Sequence, residues 1–68
     1  MRYAVVIEKT GRNFSAYVPD LPGCIASGKT VAIVEDNIRS AIRSHIEGLS
    51  ADGLAAPEPT CIAEYIEA

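Results

Sequence analysis

From Thr30 onward the apolar residues Val31, Val34, Ile38, Ala41, Ile42, Ile46 and Leu49 recur at intervals of three and four, the spacing of one helical face. An amphipathic helix of about five turns therefore takes up nearly a third of a 68-residue chain. Whatever else folds must supply one surface to cover its single apolar stripe. Thr30 is placed to cap the helix N-terminus, although Ile33 stands where a full capping box would have Glu or Gln. Glu35 with Arg39 and Arg43 with Glu47 are spaced to pair along the solvated side, each pair contributing about 0.2–0.5 kcal/mol.

The residues before the helix read as the covering sheet. Arg2 to Lys9 alternates, with Tyr3, Val5 and Ile7 on one face, and Asn13 to Pro19 repeats the alternation through Phe14, Ala16 and Val18. The Thr10-Gly11-Arg12 link carries the glycine of a tight hairpin, so these two strands are expected to pair antiparallel. Pro19 and Pro22-Gly23 end the second strand in a turn, and Cys24 to Ser27 forms a short third strand. Beyond the helix, Ser50-Ala51-Asp52-Gly53 is a stop, Pro57-Glu58-Pro59 a stiff link, and Thr60 to Glu67 a fourth strand.

The expected architecture is a single α+β domain, residues 1–68, of order β-β-β-α-β. A right-handed crossover through the helix sets the fourth strand parallel to the first, giving sheet order 3-2-1-4 with the helix on one face. The other face, with tyrosine and small apolar groups, is left uncovered. A chain this short buries only about 60% of its unfolded surface, so association into a homodimer or higher homo-oligomer is expected.

Charge and motifs exclude several activities. A net charge of −3 opposes a general electrostatic grip on nucleic acid and suits a basic protein partner. Two cysteines, no signal segment and no apolar run approaching the ~20 residues of a membrane span point to a cytoplasmic, soluble protein with free thiols. Cys24 and Cys61 begin strands on opposite edges of the expected sheet, roughly 14 Å apart at ~4.8 Å per strand, beyond disulfide reach.

Gly23-Cys24-Ile25-Ala26-Ser27-Gly28-Lys29-Thr30 matches the phosphate-binding pattern G-x-x-x-x-G-K-[ST]. A working phosphate loop follows a buried strand and wraps the phosphate with its four variable residues. Here Asp20-Leu21-Pro22 precedes the first glycine, and the variable residues themselves read as strand. An extended strand does not curl around a phosphate, so no nucleotide cofactor is expected. His45 lies on the helix stripe without a recognisable catalytic set. Cys24, Cys61 and His45 lack metal-ligand spacing. Glu35 and Asp36 diverge by about 100°, so they and Asp20, Glu64 and Glu67 do not make a two-metal nuclease. No catalytic, cofactor or metal residues are expected.

Taken together, Tyr3-x-Val5-x-Ile7-Glu8, Tyr17-x-Pro19-Asp20-Leu21-Pro22-Gly23-Cys24, Gly28-x-Thr30 and Asn37-Ile38-x-x-Ala41-Ile42 resemble the HicB-like antitoxin family. The resemblance spans nearly the whole chain and is strongest from Tyr17 to Ile42. It implies a partial RNase H-like fold of the same β-β-β-α-β order. It also implies a non-enzymatic role in a toxin–antitoxin system, binding and neutralising a small, basic, mRNA-cleaving toxin of the HicA type. Members that regulate their own operators carry an added helix-turn-helix or ribbon-helix-helix module. None follows the fourth strand in these residues, so DNA binding is not expected.

The candidate partner contacts are Tyr17, Asp20, Leu21 and Tyr65, since a loop beside a sheet edge with aromatics and an acid suits a compact interface. The competing reading is that Tyr17 and Leu21 complete the core. An alternative function is an orphan HicB-like scaffold or oligomerisation domain without a toxin. A nucleotide-binding or RNase H-like enzyme is the weakest reading.

Overall fold

A computed structural model describes residues 1–68. Three strands, β1 (Val6–Thr10), β2 (Asn13–Tyr17) and β3 (Ile25–Gly28), precede one helix, α1 (Val31–Ala51). The sheet is antiparallel with order β1-β2-β3. Gly11, at φ 59°, is the first central residue of the two-residue turn between the paired Thr10 and Asn13. A residue with a side chain is strained there.

The 21-residue helix starts where the local chemistry places it: the Thr30 hydroxyl accepts from the Ile33 N–H at 3.1 Å. It ends in a paired closure, with Leu54 N–H donating to the Leu49 carbonyl and Gly53 N–H to that of Ser50, which satisfies carbonyls otherwise left bare. Val34 and Ile38 from the helix stripe meet Ala16, Val18, Leu21 and Cys24 to form the fully buried core. Tyr3, Val5, Ile7 and Phe14 pack around it. Asn37 donates to the Ser27 carbonyl at 2.8 Å and ties the helix to β3.

Helix and β3 approach so closely at Gly28 that a Cβ there would stand 2.8 Å from Ile33 Cγ2 and 2.9 Å from the Val34 backbone nitrogen. The backbone atom cannot swing aside. Gly28→Ala is therefore expected to destabilise the domain by about 1–3 kcal/mol, read as a lowered urea midpoint with an unchanged m-value.

Several expectations need correction. The fourth strand does not form: outside the helix and strands, no backbone-to-backbone hydrogen bond reaches beyond Leu54, and residues 54–68 are irregular. The sheet is thus 3-2-1 without the added 4. β1 begins at Val6 rather than Arg2, because its partner strand stops at Tyr17, opposite Val6. Val18 then turns away to receive Leu21 and donate to Cys24. On the helix, Arg39 pairs with Asp36 at 2.9 Å instead of Glu35, both acids being within reach on adjacent turns. Arg43 and Glu47 form no ion pair.

Candidate protein-binding surface

Strand register decides which side chains remain on the uncovered face. Ile7, Ala16 and Ala26 stand opposite one another, and Ala16 is buried in the core beneath the helix. The neighbouring row, Val6, Tyr17 and Ile25, therefore lies on the far face. Tyr17 is 43% and Ile25 70% exposed. Three apolar side chains in line across three strands, with Glu8, Ser15 and Ser27 in the next such row, form an apolar strip with a polar border. That is the composition of a protein contact. Of this strip the sequence reading named only Tyr17. Val6 was legible once Gly11 fixed the register of the first hairpin, whereas Ile25 joins the row only through the separate pairing of β2 with β3.

The loop between β2 and β3 separates the remaining candidates. Hydrogen bonds from Leu21 N–H to the Val18 carbonyl and from Cys24 N–H to the Leu21 carbonyl, both 3.0 Å, fold the loop onto itself. Leu21 is tucked to 0% exposure, so it has no surface to offer a partner and serves the core. Asp20, beside it, points the other way. Its carboxylate accepts from Thr60 N–H at 3.1 Å, Thr60 Oγ1–H at 2.9 Å and Cys61 N–H at 3.1 Å. A second tie, from Tyr3 O–H to the Pro57 carbonyl at 2.7 Å, holds the same segment. Asp20 is thus a latch for the C-terminal segment, and Tyr65 stands fully exposed on the free part beyond it.

The latch has an electrostatic signature. Hydrogen bonds from the Cys61 backbone, then from the Thr60 hydroxyl, hold the Asp20 carboxyl below its ordinary 3.8. The sign follows: the latch is complete above that value and is lost as pH falls through the lowered one. The same carboxylate pushes the exposed Cys61 thiol up from 9.0, and burial raises Cys24. Asp20→Asn is therefore expected to speed alkylation of Cys61 at pH 8, since removal of the carboxylate lowers the thiol pKa. Cys24 should remain unreactive until the domain unfolds. An unchanged Cys61 rate, measured by mass spectrometry, would contradict the latch.

The motif from Gly23 to Thr30 is a turn, a strand and a cap. Its variable residues Ile25, Ala26 and Ser27 are paired in β3, so they have no phosphate cradle to offer. Cys24 and Cys61 are free thiols. No three His, Cys, Asp or Glu side chains converge as metal ligands, and no helix is long and apolar enough to cross a membrane.

A small α+β domain with one helix-covered face and one open apolar face is the class that this geometry defines. The chain belongs to the HicB-like antitoxin family of bacterial toxin–antitoxin systems, whose pattern matches residues 3–68. It is 38% identical, over 97% of its own length, to an uncharacterised 14.9 kDa protein of Haemophilus phage HP1, of which it spans 50%. It is 42% identical to a UPF0150 protein of Helicobacter pylori over 74% of this chain and 69% of that one. A UPF0150 protein of Thermoplasma acidophilum is 44% identical over 72% of each. Among solved structures, HicB3 of the HicA3 and HicB3 toxin–antitoxin complex is similar, with a TM-score of 0.74 and 37% identity. The match covers 87% of this chain and 70% of that one.

Proposed function

We propose that this chain is an antitoxin that binds and neutralises a small, basic, mRNA-cleaving toxin of the HicA type, using its open sheet face. The observation that carries the reading is the likeness, at 37% identity and a TM-score of 0.74, to a chain solved in a toxin–antitoxin complex. The exposed row of Val6, Tyr17 and Ile25 supports the choice of surface. A net charge of −3 favours encounter with a basic partner.

The mechanism is masking by stoichiometric contact, with no bond made or broken by this chain. Tyr17 supplies the central anchor, a large side chain with a polar tip held on a rigid strand. Asp20 acts one step away by fixing the segment that carries Tyr65. Leu21 contributes from beneath, by holding the loop against the core. A cytoplasmic setting follows from the target, since the toxin attacks messenger RNA.

A search of the adjacent reading frames for a small basic protein, and co-expression with it, tests the proposal. Restored growth and co-purification are expected. Failure of both would leave the orphan scaffold as the better account of the domain.

A further inference from the structure

We infer that Asn37 guards the outer edge of β3: its side-chain amide occupies the Ser27 carbonyl in place of a neighbouring strand, and so keeps other chains from pairing there. The ladder gives the direction of each backbone group. Val18 N–H donates to the Cys24 carbonyl at 3.2 Å, so in the register that follows, Ala16 with Ala26 and Phe14 with Gly28 are the hydrogen-bonded pairs. Ile25 and Ser27 fall between them, opposite Tyr17 and Ser15, and turn their N–H and C=O groups away from β2. Asn37 agrees with this direction, since its Nδ2 reaches the Ser27 carbonyl from the helix at 2.8 Å. Outside the helix and strands, no backbone-to-backbone hydrogen bond involves Ile25 or Ser27.

Strand composition explains why this edge calls for a guard. An open edge is a template for another chain, and charged side chains are a common protection. The opposite edge, β1, carries Glu8 and Lys9. From Leu21 to Gly28 there is no charged residue, and β-branched Ile25 stands exposed on the strand. Uncharged segments of high β preference are the ones that pair most readily with other chains.

Two features limit β3 instead. It is only four residues long, and the helix that follows lies close against it. The approach at Gly28, where Ile33 and Val34 meet the strand, sets Asn37 one turn further along the helix and within reach of Ser27. Asparagine is a poor residue for a helix interior. Its place here is accounted for by the carbonyl that it covers.

The full chain tests this without any partner. Asn37→Ala removes the donor and substitutes the best helix former, so helical circular dichroism should be retained. With the Ser27 carbonyl uncovered, two copies should pair edge to edge through β3 about a two-fold axis, and sedimentation at rising concentration should show a species of roughly twice the wild-type mass. Hydrogen exchange locates the contact: the Ile25 and Ser27 amides should exchange at least about tenfold more slowly in the associated variant than in the wild type. Adding Ser27→Lys, which keeps the backbone carbonyl and puts a charge on the edge, should return the mass to that of the wild type. Asn37→Ser, too short to reach Ser27, should behave as Asn37→Ala does and carries the same test if the alanine chain unfolds. A folded variant of wild-type mass at every concentration would overturn the guard, as would association that leaves the Ile25 and Ser27 amides unprotected. Loss of helical structure in both variants would make Asn37 a tie between helix and strand alone and overturn it equally. No readout involves toxin, so a failure here is separate from a failure of neutralisation.

Discussion

Leu21→Ala is expected to cost about 2–5 kcal/mol, most of the stability available to a domain this small. Leu21 is completely buried, and with Val34 is one of the two largest side chains wholly removed from solvent. The loop that carries it is pinned on both sides by backbone hydrogen bonds and cannot collapse into the space that the alanine would leave. Each kcal/mol corresponds to roughly 4–8 °C in Tm for a domain of this length, so a fall of about 8 °C or more is expected by calorimetry. The substitution also separates two roles for the same residue. A contact residue would give a folded protein that fails to bind, whereas a core residue gives one that fails to fold.

Tyr17→Thr is the reverse case. Tyr17 is the last residue of the central strand and 43% exposed, and threonine, like tyrosine, is a favoured strand residue, so stability should change little. The aromatic anchor is lost. A central interface tyrosine typically contributes about 2 kcal/mol or more, equivalent to a rise of about 30-fold in the Kd for toxin. Threonine rather than aspartate is the informative replacement, because a new negative charge facing a basic toxin would offset part of the loss. Calorimetric titration of a variant with wild-type Tm checks the prediction, and an unchanged Kd would remove Tyr17 from the contact surface.

Local signals made much of this fold readable. The helix and its Thr30 cap follow from a 3.6-residue period and one hydroxyl, and the first hairpin from alternation around Gly11. The segment from Thr60 to Glu67 illustrates the boundary of such reasoning. Its alternation declares a strand, but nothing in it specifies which edge receives it, and that edge is non-local. Arg2 to Val5 alternates just as well, yet pairing stops where Pro19 and the Val18 turn take β2 away. Asp20 was legible as an unusual acid between two prolines. Its partners Thr60 and Cys61 are 40 and 41 residues distant, so its latching role emerges only in three dimensions. Leu21 shows the same limit from the other side, since a leucine in a proline-bounded turn reads equally well as anchor or as core.

The central claim, that this chain masks an RNA-cleaving toxin through its open sheet face, is tested most directly by a cleavage titration. A purified HicA-type toxin that co-purifies with this protein is incubated with RNA and increasing amounts of it. Cleavage should fall in proportion to added wild-type chain and cease at a fixed stoichiometric ratio, with folded Tyr17→Thr requiring about 30-fold more free protein for the same inhibition. RNA cleavage that persists unchanged in excess folded wild-type protein would contradict neutralisation. Equal inhibition by Tyr17→Thr would contradict the assigned surface.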